Sequence, residues 1–323
     1  MQLITGGLGF IGSHTARALL DLDEDCVVTQ HSATHVPEFL QPDVGARLVV
    51  EPLDVENASE LLQIGNRHAI TGIVHLADAA SHRLWHHAGS SSLGRLDGLF
   101  DSLFHVLHAA REWGVTRVTI ASTIGVYGGL APGRWSEETA LPMLASHAIP
   151  TAKKCNELLA TLISDQIGIP AIHVRPSAIW GPGGRPQSNF FALPALVHAA
   201  VHADTDTPSI PQPLYAGDAT DVCYVKDCAR AIALIQTAPT LSHCTYNIGS
   251  GHTTSNEQIV AAIKRTLPDA TFNLTDGRNP HSPPIDPVLD LTLIHQDTGY
   301  EPAYDTDTAI ADYINWLRTG HDR

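Results

Sequence analysis

The stretch Thr5-Gly6-Gly7-Leu8-Gly9-Phe10-Ile11-Gly12 constrains this chain more than any other part of it. It follows the strand-like run Gln2 to Thr5 and opens the helical pattern Gly12 to Leu22, the context in which a glycine spacing acquires structural meaning. Gly6 permits a tight turn, Gly9 lets backbone approach a pyrophosphate, and Gly12 lets the helix pack on the strand. Phosphates then meet free N–H groups at the helix N-terminus. The corner predicts a dinucleotide site that includes Gly6, Gly9, Phe10, Ile11 and Gly12.

Downstream, short β-branched runs alternate with helical stretches, the pattern of a parallel sheet covered on both faces. Strands are expected at Cys26 to Thr29, Arg47 to Glu51, Gly72 to Leu76, Arg117 to Ser122 and Ala171 to Arg175. Helices are expected at Leu96 to Trp113, ended by Gly114, and at Thr151 to Gln166. After Pro176 the texture changes to loop, a helix over Asn189 to His202, and a proline-containing polar segment. Val222 to Val225 and the helix Lys226 to Gln236 are expected to return to the main sheet. The fold class is therefore α/β, a Rossmann doubly wound parallel sheet with a smaller, interleaved C-terminal substrate lobe. Residues 1–175 form the dinucleotide-binding domain, with 221–238 returning to it, and 176–323 form mainly the substrate lobe.

Charge narrows the partners. Nineteen Lys+Arg against 34 Asp+Glu give a net charge of -15, which disfavours nucleic acid. No apolar run reaches the roughly 20 residues that span a bilayer, and no basic segment precedes the first strand, so no membrane partner and a cytoplasmic location are expected. The five cysteines form no CxxC pair and read as reduced thiols. Among 19 histidines, the pairs His198/His202 and His105/His108 and the cluster His82, His86, His87 lack a further ligand at a metal-site spacing, so no metal is expected.

At the end of the second strand, the acidic residue that would take both ribose hydroxyls is replaced by Gln30-His31-Ser32. Gln30 can still hydrogen-bond a ribose, and His31 with Ser32 could receive a 2′-phosphate without an adjacent arginine. NAD is favoured and NADP stays open. Leu53-Asp54-Val55 has the form that contacts adenine, with a simple helix cap at Asp54 as the alternative.

Seven strings occur in an order that resembles the extended short-chain dehydrogenase/reductase family, in its nucleotide-sugar epimerase/dehydratase branch. They are TGGLGFIG, HLADAA from His75, ASTIGVYGG from Ala121, VRPSAIWGPGG from Val174, DVCYVKDCARA from Asp221, YNIGSG from Tyr246, and the closing run from Thr298 to Leu317. The resemblance implies hydride transfer between a substrate alcohol and a nicotinamide, followed by epimerisation, dehydration or decarboxylation. It implies that Leu76, Ala77, Asp78, Ser122, Pro176 and Ile179 line the cofactor, that Thr123 holds the reacting hydroxyl, and that Lys153 binds the nicotinamide ribose. It also implies a homodimer through a two-helix pair on each subunit.

One position departs from the family pattern. The proton-exchanging tyrosine should stand four residues before Lys153, one turn up the same helix face, and that residue is Ile149. Candidate donors nearby are His147, Tyr127 and a water held by Thr123 and Lys153. The loop His82 to His87, Arg185 and Arg278 are candidate contacts for a small-molecule substrate, such as a sugar nucleotide or polyol. The leading expectation is an NAD(P)-dependent oxidoreductase or epimerase/dehydratase-like enzyme with an altered proton relay. The alternatives are a catalytically silent dinucleotide-binding sensor or scaffold, and a lyase or isomerase that uses the cofactor only transiently.

Overall fold

The computed structural model describes residues 1–31, 33, 35–77, 100–145, 147–188, 190–202, 210, 212–281 and 286–321. The readings at Ser32, Asp78 and the His82 to His87 loop, and the first residues of the helix expected from Leu96, lie outside the described residues.

The strands in chain order are β1 (Gln2–Thr5), β2 (Cys26–Gln30), β3 (Leu48–Pro52), β4 (Gly72–His75), β5 (Val118–Ala121), β6 (Arg134–Trp135), β7 (Ala171–Pro176), β8 (Ala178–Trp180), β9 (Ala219–Thr220), β10 (Val222–Tyr224), β11 (Thr245–Ile248), β12 (Thr254–Ser255) and β13 (Val288–Leu289). The helices are α1 (Phe10–Asp21), α2 (Ala58–Arg67), α3 (Asp101–Trp113), α4 (Ala148–Ile167), α5 (Leu193–Val201), α6 (Val225–Thr237), α7 (Asn256–Thr266), α8 (Thr292–Thr298) and α9 (Thr306–Arg318).

Seven strands form one sheet in the order β11-β7-β5-β4-β1-β2-β3, and every pairing in it is parallel. The strands are apolar at consecutive positions because both faces are covered. Leu3, Val27 and Ile73 enter the core under α2, α3 and α4, while their neighbours Ile4, Val28 and Val74 enter the core under α1 and α6. All six are fully buried, and each such side chain contributes roughly 1.5–3 kcal/mol through removal from water. Strand order reverses direction between β1 and β4, so the C-terminal edge opens a crevice there.

Helix α6 returns to the sheet as expected and packs along α1, but the strand before it does not. β10 pairs in parallel with β8 in a separate two-stranded sheet, and β11, beside β7, is the strand that completes the main sheet. The remaining lobe is built on α5, α7 and α9, around a core of Leu193, Leu196, Ile259, Ile310 and Tyr313. Two of its helices start on side-chain caps: Ser255 and Gln258 form a capping box at α7, and Asp305 accepts from Thr308 N at 2.8 Å at α9. No described helix is long and apolar enough to cross a membrane.

Candidate active site

The corner between β1 and α1 has the form its glycines require. Gly6 has φ +68°, and a Cβ on Gly12 would lie 2.2 Å from Gly6 O, so the first turn of α1 sits directly on the loop. Gly9 is the N-cap and offers no side chain; no acid stands in the first turn. The leading amides of α1 therefore have no capping side chain, a cradle that fits a dinucleotide pyrophosphate. Phe10 and Ile11 would contribute through backbone. Phe10 turns its ring to the Gly183–Gly184 loop, where a Cβ on Gly184 would lie 2.9 Å from it, and Ile11 packs against the core.

Beside this corner the ends of β1, β2 and β4 are stitched together. Gly6 N donates to Thr29 Oγ1 at 3.0 Å, Thr5 Oγ1 meets His75 Nδ1 at 2.8 Å, and Ala77 N donates to Thr5 Oγ1 at 3.3 Å. Leu76 and Ala77 are thereby brought against Gly6. Further along the edge, Gln30, His31, Leu53, Asp54 and Gln63 line an open cleft of about 530 Å³. Gln30 donates its amide to Ala33 O. Asp54 is exposed and accepts from Glu56 N at 3.0 Å, whereas the cap of α2 is Asn57, so Asp54 is not the helix cap. Val55 points into the core and has only its backbone to offer an adenine. Arg67, also at this cleft, is committed to Glu51 through bonds of 3.1 and 2.8 Å.

The catalytic candidates gather at the C-terminal end of β5. Thr123 caps a 3-10 turn over Ile124–Tyr127, its Oγ1 accepting from Gly125 N at 3.1 Å. Lys153 Nζ donates to Ala121 O at 2.9 Å, which holds α4 against the last residue of β5. Ile149 is the second residue of α4, half-buried and one turn ahead of Lys153. The next residue, Pro150, is buried against Gly125. The place expected to exchange a proton is therefore apolar. His147 is exposed at the N-cap of α4, makes no capping bond, and stacks on Phe190 with ring centroids 6.2 Å apart. Pro176 ends β7 and Ile179 lies in β8 opposite Cys223, both half-buried near the same sheet edge.

Two sequence readings are corrected. Tyr127 is fully buried; its hydroxyl donates to Asn247 Oδ1 at 2.8 Å and accepts from Arg175 Nη1 at 2.8 Å, so it is not a proton donor to the cleft. Burial pushes its phenol above the usual value even beside Arg175. Ser122 is buried and donates its hydroxyl to Glu157, leaving only backbone for a cofactor. Arg278 is bound to Asp286 at 2.6 and 2.7 Å, with its side chain partly exposed. Arg185 is exposed on the loop after β8.

Glu157, Arg175 and Asn247 were not singled out as site residues, yet they form the floor of the site. Arg175 donates Nε to Glu157 Oε1 at 3.0 Å and Nη2 to Oε2 at 2.6 Å. Burial works to raise the Glu157 carboxyl, but the bonds and charge of Arg175 hold it below the usual carboxylate range. The signal was present: an arginine inside the apolar strand β7 requires a buried partner, and Glu157 lies one turn beyond Lys153.

The sequence profile of the NAD dependent epimerase/dehydratase family matches residues 2–249. Similar curated proteins include dTDP-glucose 4,6-dehydratase of Escherichia coli, 25% identical over 97% of this chain and 92% of that protein. UDP-glucose 4-epimerase of Lacticaseibacillus casei is 23% identical over 97% and 95%. Among solved structures, the Thermus thermophilus UDP-glucose 4-epimerase complex with NAD superposes with a TM-score of 0.78 at 22% identity, covering 99% of this chain and 100% of that one. The profile match over most of the chain establishes that this protein belongs to the NAD-dependent epimerase/dehydratase family.

Proposed function

We infer that the protein binds NAD at the β1–α1 corner and acts as an epimerase- or dehydratase-type enzyme on a sugar nucleotide. The observation that carries this reading is placement: Thr123 and Lys153 stand at the end of β5, beside β4, on the edge where strand order reverses. The relatives' names, dehydratase and epimerase, support turnover over a silent binding role.

Bound there, the nicotinamide supplies a hydride acceptor for a substrate alcohol. The chain's own residues do the rest. Gly6, Gly9 and Gly12 admit the pyrophosphate, and the Lys153 ammonium holds ribose hydroxyls. Thr123 Oγ1 orients the reacting hydroxyl. Ile149 excludes water from one side without taking a proton, so the proton leaves through a water held by Thr123 and Lys153 or through exposed His147. Direct general acid/base help is worth about 10²–10⁴ in rate, so turnover is slow. A second copy of the chain covers Phe104 on α3 and Leu158 and Leu162 on α4, exposed at 41%, 74% and 56%.

The test is a fluorescence titration with NADH, followed by incubation with dTDP-glucose or UDP-glucose and mass analysis of products. Binding and slow conversion are expected, with Ile149→Tyr raising kcat at least about tenfold. Absence of NADH and NAD binding at millimolar concentration refutes the reading.

A further inference from the structure

The turn that carries Thr123 is closed into a ring by side chains from two other elements. Ser122 Oγ donates to Glu157 Oε1, Arg175 grips both Glu157 oxygens at 3.0 and 2.6 Å, and Arg175 Nη1 donates to Tyr127 Oη at 2.8 Å. The backbone from Ser122 to Tyr127 completes the circuit. Both ends of the turn are thus held by one ion pair that joins α4 to β7, with Thr123 between the two clamps.

None of the four residues is more than 8% exposed, so none reaches a ligand through its side chain. Burying such a pair is costly, and apolar side chains of similar volume would fill the space at least as stably. What apolar packing lacks is direction: hydrogen bonds weaken steeply away from alignment, and a bidentate guanidinium–carboxylate contact fixes a plane. The helix so fixed is the one that carries Lys153, one turn before Glu157, and Lys153 itself bonds Ala121 O at 2.9 Å. Ser122 follows Ala121 directly. Asn247 anchors the far side of the circuit, accepting a hydrogen bond from the Tyr127 hydroxyl and donating Nδ2 to Trp135 O at 3.0 Å and Asp290 O at 3.1 Å.

We propose that Glu157, Arg175, Tyr127 and the Ser122 hydroxyl are positioning residues that set Thr123 Oγ1 against Lys153 Nζ, through the closed circuit Ser122–Glu157–Arg175–Tyr127. The inference rests on the proposed role of Thr123 and Lys153, and its first measurement does not depend on activity.

Ser122→Ala and Tyr127→Phe each open the circuit at one joint and leave the Glu157–Arg175 pair intact. Native-state amide exchange is read at Gly125, Val126 and Gly128, whose N–H groups bond to Thr123 Oγ1, Thr123 O and Gly125 O. Exchange there is expected to speed up at least about tenfold in both variants, with β5 and α4 amides unchanged and Tm within about 2 °C of wild type. Ser122→Thr, which keeps the hydroxyl, restores slow exchange. With dTDP-glucose or UDP-glucose, whichever the wild type converts, kcat falls at least about fivefold while KM and the NADH Kd stay within about twofold. Unchanged exchange, loss of protection spread over β5 and α4, failure of Ser122→Thr to restore it, or an unaltered kcat each overturns the proposal. A wild type that binds no NADH refutes the functional reading instead, and the exchange result still decides whether the circuit holds the turn.

Discussion

Replacing Glu157 by glutamine separates charge from shape beneath the site. The side chains of Glu157 and Arg175 are 10% and 6% exposed, so glutamine leaves a guanidinium in the core with no counter-charge. Breaking one half of such a pair costs about 3–5 kcal/mol. A chain of 323 residues has an unfolding entropy near 0.7 kcal/mol/K, at roughly 2.1 cal/mol/K per residue, so Tm should fall by about 4–7 °C if the chain unfolds as one unit. Replacing both partners by methionine should recover more than half of that loss, because no charge is left stranded. Scanning calorimetry at pH 7 on the wild type, the single variant and the double variant reads both quantities. The pH dependence has a fixed sign. The folded carboxyl is held below its usual value of 4.5, so its stabilisation is present above that value and is lost as pH falls through the lower folded value. The wild-type and Glu157→Gln stabilities should therefore converge in acid. A single-variant shift below about 1 °C, or a double variant no more stable than Glu157→Gln, would refute the reasoning.

Two further outcomes follow from burial. His14, His173 and His198 are buried, and desolvation lowers each from 6.5 to about 4, so each stabilises the folded chain fully above 6.5 and progressively less as pH falls toward 4. Unfolding free energies from urea titrations should drop between pH 7 and pH 5 by roughly 2 kcal/mol per histidine, and His198→Phe should flatten part of that slope; an unfolding free energy constant over this range contradicts the assignment. Leu158→Glu, on the exposed face of α4, should convert a particle of twice the chain mass to one of single mass in light scattering, while a wild type already monomeric at micromolar concentration removes the dimer proposal.

Local signals were strong where chain neighbours alone set the structure. The glycines of the first corner announce a turn and a helix start within a dozen residues, and the continuous apolar runs at Leu3-Ile4 and Val27-Val28 announce strands buried on both faces. Ile149 and Lys153 are legible as neighbours for the same reason, since a spacing of four places two side chains on one helix face. The helix over α2 was not anticipated, although Asn57 and Glu60 make a recognisable start signal. The strand β11 was read only as a motif, because four residues cannot show which sheet they join.

What the amino-acid order determined by itself is the α/β class and the dinucleotide corner, both of which depend on contacts a few positions apart. Only the tertiary structure decided that Ser122 and Tyr127 turn inward, and that the charges of Glu157 and Arg175, 18 positions apart, meet beneath Thr123. It likewise decided that β10 leaves the main sheet to β11. A hydroxyl or a guanidinium has no preferred side until burial forces it to find a partner, and which partner lies within reach depends on how distant segments pack.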